Sequence, residues 1–322
     1  MGAVDDGIPV IDIAAFAGDP AGLGATLGHA VRDTGFFCIT GHGVASSLID
    51  AVFAQSTRFF SQEIAAKDAL SIRHSPHNRG YVALGEERLD ASNPGDVKAA
   101  FNIGLDMRPD HPEVLAGKPF RGVNVWPDAA ALPNFRETML TYFEACRALG
   151  MSLHRAFAHD LGVADNFVDN KRDQPLATLR LLHYPPRPER FVPGQIGAGE
   201  HTDYGNITLL ATDDAGGLEV RTRSCDWISP STILGALICN IGDCLMRWTN
   251  GVYVSTPHRV VNPVGRERYL IAFYLDPNPD AVVECVPSCV TAERPAQYAP
   301  TTGAADLKSR LGATYSRRDK PQ

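Results

Sequence analysis

Apolar positions along the chain recur with a helical period in its first half and with a strand period in its second. Asp19-Pro20 reads as a cap followed by a first-turn proline. Leu23, Leu27, Ala30 and Val31 then recur at helical spacing until Gly35 ends the run. A short buried strand is expected over Phe36–Ile39, and a second helix opens at Ser46-Ser47 with Leu48, Ile49, Val52 and Phe53 as its apolar positions. The longest helix begins near Pro133, sets Phe135, Met139, Tyr142, Cys146, Leu149, Leu153 and Phe157 on one stripe, and stops at Gly162. Its length suits a support against which a sheet packs.

Past residue 175 the period becomes that of strands. Thr178–Tyr184, Ile207–Thr212, Gly217–Arg221, Ala236–Ile241 and Arg268–Tyr274 are short β-rich runs, and Asp213–Gly217 and Thr249–Gly251 between them carry turn residues. The predicted architecture is mainly β with helices, a jelly-roll barrel buttressed by N-terminal helices. Residues 1–175 form the helical N-terminal region, 176–290 the barrel, and 291–322 a C-terminal helix and tail. No internal repeat or low-complexity tract is visible, so the three regions are expected to fold as one unit.

Composition narrows the functional classes. Thirty Lys and Arg against 37 Asp and Glu leave a formal charge of −7, which disfavours nucleic acid or an anionic membrane as partner. No apolar run approaches the roughly 20 residues of a spanning helix, and the first residues lack the profile of a signal peptide. Seven thinly spread cysteines do not make a disulfide framework. A soluble cytoplasmic protein is therefore expected, with its oligomeric state left open, and composition says nothing about its chemistry.

Several motifs compete as candidate chemistry. Gly22-Leu-Gly24-Ala-Thr-Leu-Gly28 has its last glycine one residue late for a dinucleotide fingerprint and follows no strand, so a glycine-containing surface helix is expected. Cys239, Cys244, Cys285 and Cys289 lie close in sequence, but their spacings are not those of a zinc knuckle. Among the ten histidines, His201-Thr-Asp203 stands where a strand meets a turn. Such a pair is worth little alone, because about one is expected by chance. It gains weight from His258, 55 residues beyond Asp203 in a second β-rich segment, and from Arg268 ten residues later. Residues i and i+2 of a strand point to one face, so His201 and Asp203 can aim at one point that His258 reaches from another strand. Two imidazoles and one carboxylate with open positions opposite are the facial triad of non-haem Fe(II) oxygenases, where an oxo acid and O2 complete the iron shell.

At these residues the chain resembles the isopenicillin-N-synthase-like branch of the Fe(II)/2-oxoglutarate-dependent oxygenases. The resemblance is carried by Ile8–Ile13, Gly35–Val44, Asn240–Asp243, Trp248–Gly251 and Ser255–Val260, with Pro295–Tyr298 and Arg310–Tyr315 resembling the family's C-terminal helix. It implies a double-stranded β-helix holding Fe(II) on His201, Asp203 and His258, and 2-oxoglutarate on Arg268 with Tyr184 beside it. Its implied activity is oxidation, foremost hydroxylation, of a small organic molecule with release of succinate and CO2. Oxidase, desaturating or ethylene-forming chemistry on the same site is the alternative, as is a non-catalytic dicarboxylate-binding protein. One departure is visible. The family commonly has Arg-x-Ser at the co-substrate site, and this chain has Arg268-Tyr269-Leu270, which removes one hydroxyl donor. Gly80–Glu87 is similar to a loop of the bacterial ethylene-forming enzymes that approaches the substrate, which makes Glu87 and Arg180 candidate substrate contacts. Read without the resemblance, they are a solvated loop acid and a strand-edge arginine.

Overall fold

A computed structural model describes residues 4–5, 7–90, 95–164, 167, 169–186, 196–231, 233–262 and 265–314. Its strands are β1 (Val4–Asp5), β2 (Ile8–Asp12), β3 (Phe36–Thr40), β4 (Gly80–Val82), β5 (Ala99–Gly104), β6 (Ala177–Tyr184), β7 (Ala198–His201), β8 (Ile207–Thr212), β9 (Leu218–Arg221), β10 (Trp227–Ile228), β11 (Leu237–Ile241), β12 (His258–Val260), β13 (Arg268–Leu275), β14 (Val282–Val283) and β15 (Thr301–Thr302). Its helices are α1 (Pro20–Asp33), α2 (Ser46–Phe60), α3 (Ile64–Asp68), α4 (Pro112–Leu115), α5 (Phe135–Leu161), α6 (Asp243–Trp248) and α7 (Gly303–Thr314). Among the described residues, nine strands form one sheet in the order β1-β2-β3-β11-β8-β13-β6-β5-β4, and a second sheet runs β10-β9-β12-β7. This is the double-stranded β-helix expected from the strand pattern.

The alternation of side chains along each strand divides the interior in two. Phe37 and Ile39, Phe101 and Ile103, Leu179 and Leu181, Leu209 and Ala211, and Ile271 and Phe273 share one core with the apolar stripes of α1, α2 and α5. Their neighbours Phe36 and Cys38, Ala100, Leu182 and Tyr184, Leu210, and Leu270 and Ala272 share a second core with Ala198, Leu218, Val220 and Val260 of the smaller sheet. The second core is the inside of the barrel, where polar residues interrupt the alternation.

The helices are built as their patterns predict. Asp19 caps α1, its Oδ1 accepting from the Gly22 N–H at 2.9 Å. Helix α5 ends at Gly162, whose φ of 65° suits a residue without Cβ. Gly24 and Gly28 are not on the surface. They are buried where α1 crosses α5, and a Cβ on Gly24 would stand 2.5 Å from the Ala156 carbonyl. Two further expectations are corrected. The N-terminal region, expected to be helical, also supplies β4 and β5 to the large sheet. Pro295–Tyr298 is not helical: Asn250 holds it as a loop, donating to the Pro295 carbonyl and accepting from the Gln297 N–H at 2.9 Å. The C-terminal helix is α7, and Tyr315 lies outside the described residues. No described helix is long and apolar enough to cross a membrane.

Candidate active site

Strands β7 and β12 pair so that His201 and His258 stand directly opposite each other, with ring centroids 4.3 Å apart. Asp203 lies two residues past His201, in the turn beyond the end of β7 rather than in the strand. Its inward aim is set by two neighbours. Thr208 Oγ1 and Asn240 Nδ2 both donate to Oδ2, at 2.5 and 2.6 Å. The other oxygen, Oδ1, is left facing His258 Nε2 at 3.8 Å. The three donor atoms lie within 4.8 Å of one another, and no other group among the described residues could hold a metal ion in this way.

The electrostatics of the three suit a cation. The Nδ1–H of His201 donates to the Gly199 carbonyl at 2.7 Å, and that of His258 to the Thr256 carbonyl at 3.1 Å. Each ring is thereby held in the tautomer whose Nε2 lone pair is available. Burial, reinforced by the neighbouring His258, pushes His201 down to about 3, so the ring is neutral. Burial works against the Asp203 anion, but the two imidazoles and the donors from Asn240 and Thr208 hold its carboxyl below the usual range. Two imidazole lone pairs and one carboxylate oxygen converge on one point, which is a donor set for a divalent metal.

A cavity of about 150 Å³ opens from these residues into the barrel. Leu182 and Tyr184 of β6, Leu270 and Ala272 of β13, Phe36 of β3, and Leu307 and Leu311 of α7 line it. Arg268 lies on the same face of β13 and is only 1% exposed, its guanidinium 5.4 Å from the Tyr184 ring. Burial lowers its pKa, and no acceptor among the described residues reaches its Nε or Nη1. A buried cation with two unmet donors is costly unless an anion joins it. A carboxylate matches such a guanidinium in charge and shape. Leu270 lies one strand pleat from Arg268 and pairs with Thr212 of β8, so a threonine flanks the position that lacks the serine.

The structure alters the two substrate candidates. Glu87 is buried rather than solvated, and β6, which carries Arg180, is central, flanked by β5 and β13. The two form an ion pair at 2.5 Å on the cavity wall. Beside them are residues that sequence reasoning missed. Lys98, Asn102 and Asn78 line the same wall, and the Oδ1 atoms of both asparagines are buried with no partner among the described residues. Asn78 adopts a φ of 61°, a conformation asparagine tolerates better than most residues. The alternation over Lys98–Asn102 was the available signal, since Ala100 and Asn102 share the inward face of β5 and Lys98, just before the strand, falls in the same alternation.

Residues 8–129 match the family described as the non-haem dioxygenase in morphine synthesis N-terminal region, and residues 175–277 match the 2OG-Fe(II) oxygenase superfamily. The chain is 35% identical to the 2-oxoglutarate-Fe(II) type oxidoreductase hxnY of Emericella nidulans, over 97% of this chain and 91% of that one. The chain belongs to the Fe(II)/2-oxoglutarate-dependent oxygenases. This oxygenase is also 36% identical to the homoarginine-6-hydroxylase 2-ODD-233 of Oryza sativa subsp. japonica, over 90% and 91% of the two chains. It is similar to the crystal structure of a full-length Neurospora crassa protein in complex with alpha-KG and thymine. The TM-score there is 0.83 at 33% identity, covering 95% of this chain and 96% of that one. The oxygenase therefore uses Fe(II) and 2-oxoglutarate to oxidise a small organic substrate, and the triad and the buried arginine are the features of this chain that suit them.

Proposed function

We propose that His201, Asp203 and His258 hold Fe(II), that Arg268 with Tyr184 receives the distal carboxylate of 2-oxoglutarate, and that the reaction is hydroxylation of a C–H bond. The substrate would lie against Asn78, Asn102 and the Arg180–Glu87 pair. The observation that carries this reading is the meeting of a three-ligand set and an unsatisfied buried arginine on the inner face of one barrel. Iron, 2-oxoglutarate and O2 together supply the oxidising chemistry, with release of succinate and CO2.

The chain's own residues bind, orient and exclude water. The carbonyls of Gly199 and Thr256 keep the Nδ1 protons in place, so the Nε2 atoms of both rings remain donors to the metal. Asn240 and Thr208 hold one oxygen of Asp203 and leave the other for iron. Phe36, Leu89 and Leu210 line the cavity with apolar surface, which keeps bulk water from the reacting atoms. The unpartnered amide oxygens of Asn78 and Asn102 accept from substrate N–H groups, while the polar edge of Arg180 meets a substrate carbonyl. A pyrimidine base offers such groups on one flat ring, and the Neurospora crassa relative has been solved with thymine, so thymine and uracil derivatives head the substrate screen.

The test is substrate-stimulated conversion of 2-oxoglutarate to succinate, together with iron content. Turnover is expected to need Fe(II), and His201→Ala, Asp203→Ala and His258→Ala each to lose both iron and activity. Full activity in a metal-stripped sample, or in any of these variants, overturns the reading.

A further inference from the structure

Three charged side chains on one wall of the cavity, Glu87, Lys98 and Arg180, form with Asp96, which contacts Lys98, a cluster whose charges neutralise one another. Glu87 Oε2 lies 2.5 Å from Arg180 Nη2 and 3.5 Å from Lys98 Nζ. Lys98 Nζ lies 2.8 Å from Asp96 Oδ2. Glu87 and Asp96 are 3% exposed, Lys98 is 4% exposed and the Arg180 side chain 15%, so water screens the Lys98 contacts least. The remaining capacity of Asp96 is taken by main-chain donors, the Leu89 N–H at 3.2 Å and the Gly199 N–H at 3.1 Å. The second of these ties the cluster to the strand that ends in His201. Burial disfavours the Lys98 ammonium, yet Glu87 and Asp96 beside it raise its pKa above the ordinary value, so it is charged at neutral pH.

Two cations and two anions therefore stand committed to each other. A cationic substrate finds Glu87 already engaged by Arg180 and Lys98. An anionic one finds both cations engaged by Glu87 and Asp96. On the iron side the charges also close, because Fe(II), Asp203, dianionic 2-oxoglutarate and Arg268 together cancel. Asp276, the remaining carboxyl among the described lining residues, accepts from the Asn206 N–H at 2.7 Å and is pushed up to about 7 by burial, so at about pH 6 it is mostly protonated. A net charge on the substrate would then be buried without a counter-charge, which the cavity resists.

Resting on the site reading above, we propose that Lys98 is a specificity-determining positioning residue: by holding Glu87 and Asp96 in a self-neutralised cluster, it restricts this oxygenase to substrates without net charge. Arg180 and the two asparagines then recognise such a substrate by hydrogen bonds alone. Lys98 acts through Glu87 and not on the reacting atoms, and replacing either residue changes the charge of the wall by one.

The test uses the oxygen-free holoenzyme, loaded with Fe(II) and saturating 2-oxoglutarate, and follows thermal stabilisation by benzamide, benzoate and benzamidine. These are flat probes of similar size that differ in charge. Wild type is expected to prefer benzamide over both ions by about tenfold or more, the effect of one uncompensated charge at short range. Glu87→Gln leaves one cation in excess and is expected to tighten benzoate by about tenfold. Lys98→Met leaves one carboxylate in excess and is expected to do the same for benzamidine. Lys98→Arg and the double variant Glu87→Gln/Lys98→Met, both of balanced charge, should keep the wild-type order, which a merely structural role for Lys98 would not produce. Absence of a benzamide preference in wild type overturns the proposal even if a single variant does not fold. So does an unchanged order in either folded single variant. If 2-oxoglutarate itself fails to stabilise the wild type, the site reading fails. If it stabilises but the probe order is wrong, only the charge proposal fails.

Discussion

Replacing Arg268 by methionine should move stability and co-substrate binding in opposite directions. The guanidinium is 1% exposed, its pKa is lowered by burial, and its Nε and Nη1 meet no acceptor among the described residues. Each charge-assisted hydrogen bond to a carboxylate is worth about 1.5–3 kcal/mol. Losing two therefore costs about 3–6 kcal/mol of 2-oxoglutarate binding, roughly a hundred- to ten-thousand-fold in Kd. In the protein free of 2-oxoglutarate the same change removes a buried cation without an anionic partner in contact. Methionine fills much of the volume, so this form should gain about 1–3 kcal/mol of stability. Isothermal titration with 2-oxoglutarate gives the first quantity and chemical denaturation of the ligand-free protein gives the second. A variant that binds 2-oxoglutarate within twofold of wild type, or whose ligand-free form is less stable, refutes the assignment of Arg268 as an anion receptor.

Three other outcomes are expected. Leu270→Ser restores a hydroxyl near the co-substrate site and should lower the KM for 2-oxoglutarate about fivefold, one hydrogen bond of about 1 kcal/mol. The same variant should unfold at lower denaturant because Leu270 is buried, and an unchanged KM would show that Thr212 already serves. Burial pushes Asp276, which lines the cavity, up to about 7, so in iron-free protein its ionisation opposes folding fully above about pH 7 and not at all below about pH 4. Asp276→Asn should accordingly be more stable than wild type at about pH 8, by at most about 4 kcal/mol, with the gap closing on acidification. A gap that does not vary with pH in urea titrations would refute this. Gly24→Ala places a Cβ 2.5 Å from the Ala156 carbonyl and should lose about 1–2 kcal/mol as α1 is forced from α5. A gain of about 1 kcal/mol in denaturant unfolding, the intrinsic helical advantage of alanine, would mean the helices part freely.

Much of the candidate site is legible in the sequence. His201, Asp203 and His258 stood out because strand geometry and ligand chemistry limit which residue types can gather around a metal. Of the four cysteines, Cys239, Cys244 and Cys289 are buried in the apolar core, and Cys285 is partly buried. Less legible were Glu87, Asp96 and Lys98. In sequence Glu87 and Asp96 lie in a polar stretch with little period, and nothing local tells a solvated glutamate from a buried one. Only the pairing of β5 with β6 brings Lys98 and Arg180 to one wall, from positions more than eighty residues apart.

By itself, then, the sequence determined the three long helices α1, α2 and α5, most of the barrel strands and the candidate metal ligands. These rest on periods and residue types that act over a few residues, as with the cap at Asp19 and the stop at Gly162. Tertiary structure decided what each polar group has for company. Asp203 was expected on a strand, but Thr208 and Asn240 aim it from the turn. Glu87 was expected in solvent, but burial and two cations make it part of the cavity wall. Desolvation and Coulomb energy depend on distances through space, and those exist only once the chain has closed on itself.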